Sequence, residues 1–327
     1  MHLPIRLASL IAIAGAISIG CAGETDLSPD DESLDDVIST EDAVGTTCAK
    51  GSVLGFYAHG DDPLLFSNPT IGRDIAAGKC VTTLYATSGY GAKGDCKSAD
   101  FCRSQREKAA LFSFAKMANV PNEWSTRKIM LDRKWLTLYA LKANDRIRVS
   151  FLGLPCSGYN YAASDFGTPL AEVFRTKSSA TSLDGARVYN HEALVRTVAS
   201  AISIYRIDTV RTTNPDVDHD AKDPKYYPDD HPDHVTVAKI VKEALAASKS
   251  KAAPFYYSGY SVKDYPENLS AKEISSKIAI ARNYSSIDFI GTGGECDPGV
   301  VSPEFGCDGY RWLRREYDQK QRAAALK

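Results

Sequence analysis

The stretch "SVLGFYAHGDDPLLF", residues 52–66, governs how the whole chain is read. Its first seven residues are apolar or small on both alternating faces, the pattern of a strand buried inside a parallel sheet. The run stops at His59. Asp61 and Asp62 follow before Pro63 opens another apolar segment. Open α/β sheets bind their ligands at strand ends, so an imidazole and a carboxylate pair there suggest a site.

The rest of the chain repeats the strand and adds helices. "CVTTLYAT" (80–87), "RIRVSFLGL" (146–154), "DTVRTTN" (208–214) and "PFYYSGY" (254–260) read as strands. "QREKAALFSFAKMANV" (105–120), "NHEALVRTVASAISIY" (190–205) and "DHVTVAKIVKEALAAS" (233–248) carry helical spacing. Alternation of the two predicts an α/β fold with a mostly parallel sheet. "GYGAKG" (89–94) fits G-x-G-x-x-G, but it runs into the polar "DCKSADFC" instead of opening a helix. It is read as a Gly-rich turn, not a dinucleotide loop.

The 327 residues allow one large domain or two ordinary ones, and a formal net charge of -2 argues against a nucleic-acid binder. Residues 1–20 have the layout of a secretory signal, with an early Arg6, an apolar run and small residues. Ser18-Ile19-Gly20-Cys21 resembles a bacterial lipobox, with Ser18 where Leu is usual. The expectation is export, as a secreted protein or a lipoprotein anchored through Cys21. Residues 22–47 hold nine acidic residues and no basic one. Residues 21–47 are therefore expected to be a disordered tether. Seven cysteines follow Cys21, so one stays free if all others pair. Cys96 with Cys102, Cys296 with Cys307, and Cys48 with Cys80 are the expected pairs. None has the spacing of a cysteine zinc site.

Five histidines lie beyond the signal: His59, His191, His219, His231 and His234. Three of them fall in two compact motifs, His59-Gly60-Asp61-Asp62 and "DDHPDH", Asp229 to His234. Imidazoles and carboxylates together suit zinc with three protein ligands. The plainer alternatives are Asp62 as a helix N-cap before Pro63 and "DDHPDH" as a solvated turn capping a helix. His191 reads as a helix-start residue and His219 as part of a polar loop. Tyr226-Tyr227 and Tyr256-Tyr257 suit either a core or a sugar-stacking surface.

"AHGDDPLLF" and "HPDHVTVAK" resemble the two signature motifs of the PIG-L / LmbE-like deacetylases, usually A-H-P-D-D-E and H-x-D-H. "LYATSGYG" and "RSQREKAALFSFAKMANV" resemble further family segments. "KIAIARNYSS" and "YRWLRREY" resemble segments of a secreted branch. The resemblance spans roughly residues 51 to 320. It implies a Rossmann-like three-layer sandwich and one catalytic domain over 48–327, with a C-terminal extension from about 261.

It also implies zinc (Zn2+) held by His59, Asp62 and His234, with Asp61 as the base for the activated water. His231 would stabilise the oxyanion, an imidazolium being one form. Asp233 would support His231 or the metal ligands. Arg106 would contact substrate, with Arg103 its rival. The implied substrate is an N-acetylated amino sugar, N-acetylglucosamine in a glycan or glycolipid. A silent sugar- or metal-binding lipoprotein and a metal-dependent hydrolase of another bond are the competing functions. Gly60 departs from the family's Pro, and Pro63 from its acidic residue.

Overall fold

β1 (Ser52–Tyr57), with all six residues buried, lies inside a seven-stranded sheet. The computed structural model describes residues 48–89, 98–158, 163–216, 230–288 and 311–325. The strand order is β3-β4-β5-β2-β1-β8-β9. These strands are β2 (Cys80–Thr87), β3 (Trp124–Leu131), β4 (Lys134–Leu141), β5 (Asn144–Leu154), β8 (Thr209–Thr213) and β9 (Ala253–Tyr257). β1 runs parallel to β2 and β8, β2 to β5, and β8 to β9. β6 (Ser179–Thr181) and β7 (Val188–Asn190) form a separate small ribbon.

The alternation along β1 divides two cores. Val53 and Tyr57 join Phe66, Ile71, Phe114 and Tyr284 on one face of the sheet. Leu54 and Phe56 join Leu194, Val198, Val237 and Ile240 on the other. The first face is covered by α1 (Asp62–Phe66), α2 (Thr70–Ala76), α3 (Ala99–Ala118) and α7 (Ala271–Ser285). The second is covered by α4 (Leu170–Thr176), α5 (His191–Ile204) and α6 (Pro232–Ser248). This is the expected three-layer α/β sandwich. After β1 the chain moves outward through β2, and it returns to β1's other side only at β8. The loops leaving β1 and β8 therefore diverge, which opens a crevice between them.

Helix ends follow local chemistry. Asn190 caps α5 by accepting from the Ala193 N–H at 2.8 Å. Ser270 and Glu273 form a reciprocal capping box at the start of α7. Ser98 caps α3, which begins at Ala99, six residues before the predicted 105. Four strands went unpredicted: β3, β4 and the short pair β6 and β7. β3 and β4 form an antiparallel hairpin turned by Asp132 and Arg133, both at positive φ (47° and 60°). His191 opens α5, as expected, with Nε2 2.7 Å from Glu243. Tyr257 is buried in the core. His219, Tyr226, Tyr227 and Asp229 lie outside the described residues, as does "GYGAKG" beyond Gly89. No helix among the described residues is long and apolar enough to cross a membrane.

Cys48 and Cys80 form a disulfide between the chain entering β1 and the first residue of β2. Cys102 is also disulfide-bonded; Cys96, Cys296 and Cys307 lie outside the described residues. Cys156 is free and buried. The Cys48–Cys80 bridge closes a sequence separation of 32 residues. A loop of that size is worth about 3–4 kcal/mol through the unfolded chain. Replacing both cysteines by Ser should lower the unfolding midpoint in a denaturant titration accordingly. An unchanged midpoint would show that the bridge contributes nothing.

Candidate metal centre

β1 ends at Tyr57, and His59 stands two residues beyond it. α1 starts at Asp62, and the chain turns so tightly that Asp62 Oδ2 accepts the His59 backbone N–H at 2.8 Å. Asp62 is thus not a helix N-cap. Asp61 holds the N-cap place without a side-chain cap bond. On the far side of the crevice, His231 is the N-cap of α6, its Nδ1 accepting the Asp233 N–H at 3.2 Å. One turn on, His234 is fully buried. Phe66 and Tyr260 pack edge-on against its ring, with centroids 5.5 and 5.1 Å away.

The two halves meet at three donor atoms. His59 Nδ1 lies 3.0 Å from His234 Nε2. Asp62 Oδ1 lies 3.0 Å from His234 Nε2 and 3.4 Å from His59 Nδ1. Tetrahedral zinc, with bonds of about 2.0–2.1 Å, separates its ligands by roughly 3.3 Å. Two imidazoles and a carboxylate at this spacing form a donor set fit for one such ion.

The charge balance points the same way. Asp62, Asp230, Asp233 and Asp288 are each at most 1% exposed, and the Asp61 side chain is 17% exposed. Arg106 faces two of them, Nε 2.9 Å from Asp288 and Nη1 3.9 Å from Asp61. Buried carboxylates need positive partners. Burial disfavours charge on His234, but Asp62 and Asp230 outweigh it and push its pKa up to about 9. Burial likewise opposes charge on His59, while Cys156, Asp62 and Asp233 raise its pKa well above the ordinary range. Burial would raise the pKa of Asp62, yet His234 and His59 pull it far below the carboxylate range. Protons on the imidazoles supply part of the charge that a divalent ion would bring.

The flanking groups are placed differently from one another. Burial, followed by His59, pulls the His231 pKa well below its usual value. His231 Nδ1 accepts a backbone N–H, an arrangement that favours a neutral ring with its proton on Nε2. The Asp233 carboxylate accepts from Ser157 N (2.8 Å), Ser157 Oγ (2.6 Å) and Ala171 N (3.1 Å). It lies 3.9 Å from the His231 ring nitrogen, so it braces the chain after β5. Asp61 lies beside Arg106. Burial raises its pKa and Arg106 partly offsets that. Arg103 bonds Glu107 at 2.9 Å, and both arginines line a small cleft next to Gly60 with Thr87, Ser88 and Phe151.

Sequence reading missed four contributors. Asp230 Oδ1 bonds His234 Nδ1 at 2.6 Å; its i, i+4 spacing to His234 was a usable signal. Cys156 Sγ lies 3.3 Å from His59 Nε2, and only the odd cysteine count hinted at it. Asp288 and Tyr284 reach the site from α7 and the turn after it; Tyr284 lies in "KIAIARNYSS", which gave no sign of a place at the site.

Residues 54–245 match the family described as PIG-L: GlcNAc-PI de-N-acetylase. The chain belongs to the PIG-L family. No curated protein matches it. Among solved structures, it is 13% identical to an N,N'-diacetylchitobiose deacetylase from Pyrococcus horikoshii, with a TM-score of 0.43 over 76% of each chain. It is 12% identical to the teicoplanin deacetylase Orf2, with a TM-score of 0.40 over 72% of this chain and 84% of that one. It is 13% identical to a 4-carboxy-2-hydroxymuconate hydratase from Pseudomonas putida, with a TM-score of 0.37 over 78% and 91%. Likenesses this weak say nothing of activity.

The PIG-L match ends inside α6, yet later residues touch the site. A Cβ on Gly60 would lie 2.8 Å from the Tyr284 hydroxyl, which explains why glycine stands where the family usually has proline. Gly60→Ala should therefore lower both stability and activity. Adding Tyr284→Phe, which removes the obstructing oxygen, should restore much of the loss. A double-mutant cycle with no coupling would refute the contact. Metal loading should also release protons. His234 holds its proton up to about pH 9, and a metal requires the lone pair. Calorimetry at pH 7 in buffers of different ionisation heat should show release of on the order of one to two protons per ion. Affinity should fall as the pH drops from 9.

Proposed function

We propose that this PIG-L chain is an exported, zinc-dependent deacetylase that hydrolyses the acetamido group of an N-acetylated amino sugar, N-acetylglucosamine in a glycan or glycolipid. The observation that carries the reading is the convergence of His59 Nδ1, Asp62 Oδ1 and His234 Nε2 on one point, with Asp61 and His231 beside it. The match to the GlcNAc-PI de-N-acetylase family supports the substrate class.

His59, Asp62 and His234 would hold the ion. When bound, it supplies a Lewis acid for the carbonyl oxygen and lowers the pKa of water towards ~7. Asp61 takes the proton of the attacking water as its oxygen bonds to the amide carbon. The same carboxylate passes that proton to the nitrogen as the C–N bond breaks, leaving acetate and a free amine. A positioned base of this kind is worth about 10²–10⁴ in rate. His231 donates its Nε2–H to the oxygen that becomes negative, a contribution of about 3 kcal/mol. Arg106, paired with Asp288, contacts the sugar.

Residues 1–20 and the Cys48–Cys80 bridge support a place outside the cytoplasm, where disulfides persist. A lipid on Cys21 is part of the same proposal, and the substrate is then an envelope or extracellular glycan.

Zinc-loaded protein should release acetate from some member of a panel of N-acetylglucosamine oligosaccharides and glycolipids, and a chelator should stop it. Asp61→Asn should keep its zinc and lose about 10²–10⁴ of turnover. Turnover of a phosphoester without any acetate release would replace this reading with a different hydrolase. Sugar binding without any turnover would leave a silent binder.

A further inference from the structure

We infer that Asp230 is a positioning residue for the metal ligand His234, wedged in place by the backbone at Gly259. The inference rests on the metal reading above and extends it to residues outside the H-x-D-H motif and beyond residue 245.

Asp230 is fully buried and immediately precedes the N-cap of α6. Its Oδ1 accepts from three donors: His234 Nδ1 at 2.6 Å, His231 N at 2.9 Å and Tyr260 N at 3.3 Å. The first bond fixes the proton of His234 on Nδ1. Nε2 then turns its lone pair to His59 and Asp62, which is the tautomer a metal ligand needs. The other two bonds fix the carboxylate itself, from α6 on one side and the 3₁₀ turn Tyr260–Asp264 on the other. Asp230 Oδ2 has no hydrogen-bond donor among the described residues. It lies against Gly259, where a Cβ would overlap both carboxylate oxygens. Only glycine lets the chain after β9 approach so closely.

A plain structural role would ask only for a hydrogen-bond acceptor joining α6 to the turn after β9. Asparagine would serve that purpose. A negative charge on the distal nitrogen of His234 does more: it strengthens Nε2 as a ligand and balances part of the ion's charge.

The test is the zinc dissociation constant of the full chain, measured by chelator competition, for wild type, Asp230→Asn and Gly259→Ala. Asp230→Asn should bind zinc about 10- to 100-fold more weakly. Gly259→Ala, which keeps every ligand, should weaken binding in the same direction. Cobalt-loaded variants should show altered visible bands. If Asp230→Asn binds zinc as tightly as wild type and only its metal-free melting point falls, the residue is structural and the inference fails. Should the variants not fold, nitrogen NMR of zinc-loaded wild type still decides, since it must show the His234 proton on Nδ1. Its absence there overturns the assignment. A wild-type protein that binds no zinc sinks the metal reading and this inference together, whereas equal affinities sink this inference alone.

Discussion

Negative charge taken out of water around three imidazoles is the constraint that the surrounding structure answers. Asp62, Asp230, Asp233 and Asp288 are buried, and Asp61 nearly so. Each is tied by a different device. Asp233 accepts from backbone and hydroxyl donors of Ser157 and Ala171 and also lies 3.8 Å from His59 Nε2. Asp288 is paired with Arg106. Asp62 and Asp230 face His234 from its two ring nitrogens, and no arginine or lysine contact relieves them among the described residues. They leave a polarised imidazole between two anions, which favours a cation at Nε2. Hydrophobic residues could fill the same space more stably. The buried charges suit a site able to hold a cation.

Sheet topology brings those charges together. The two motifs are over 160 residues apart in the chain, but β1 and β8 are hydrogen-bonded neighbours. The loops after them leave the sheet at the same end. A short turn into α1 aims His59 and Asp62 across the crevice, and the N-terminus of α6 aims His231 and His234 back. Every residue of β1 is buried, so its register is fixed from both faces and the site inherits that rigidity.

Much of this was legible because it is local. The apolar run 52–58 announced a buried strand, and the histidine and aspartates after it marked the strand end. The β3–β4 hairpin was missed for a physical reason. Its strands are half-exposed with mixed polarity, and its turn uses Asp132 and Arg133 instead of the usual Asn-Gly. Cys48 and Cys80 could be paired because each precedes a strand and the strands are adjacent. In sequence, His231 could be read as an oxyanion partner with its form of protonation open. Only the folded chain shows a backbone N–H occupying Nδ1. Gly60 looked like a loosened loop, whereas it is a close approach to Tyr284. The Gly60–Tyr284 approach joins residues over 200 positions apart, and no local pattern encodes it.

The segment after residue 245 grips the His59–Asp62 loop from behind. Lys277 on α7 is fully buried. Its ammonium donates to the carbonyls of Leu65 at 2.8 Å and Arg315 at 2.9 Å. Leu65 lies in the last turn of α1, where helix carbonyls lack partners of their own, so the cation satisfies a group that burial would otherwise strand. Glu316 works on the next element. Its two oxygens accept from the backbone N–H and the hydroxyl of Thr70, the first residue of α2. Burial disfavours charge on both Lys277 and Glu316, and each offsets that cost for the other. The end of α1 and the start of α2 are thus held by two buried residues of the later segment, Lys277 and Glu316. Asp62 is the first residue of α1, so its carboxylate is positioned by residues well outside the motif that names it. A five-residue helix has too few hydrogen bonds to hold its own place. What fixes Asp62 is the packing of α7 behind α1, and the site extends through the fold to Lys277.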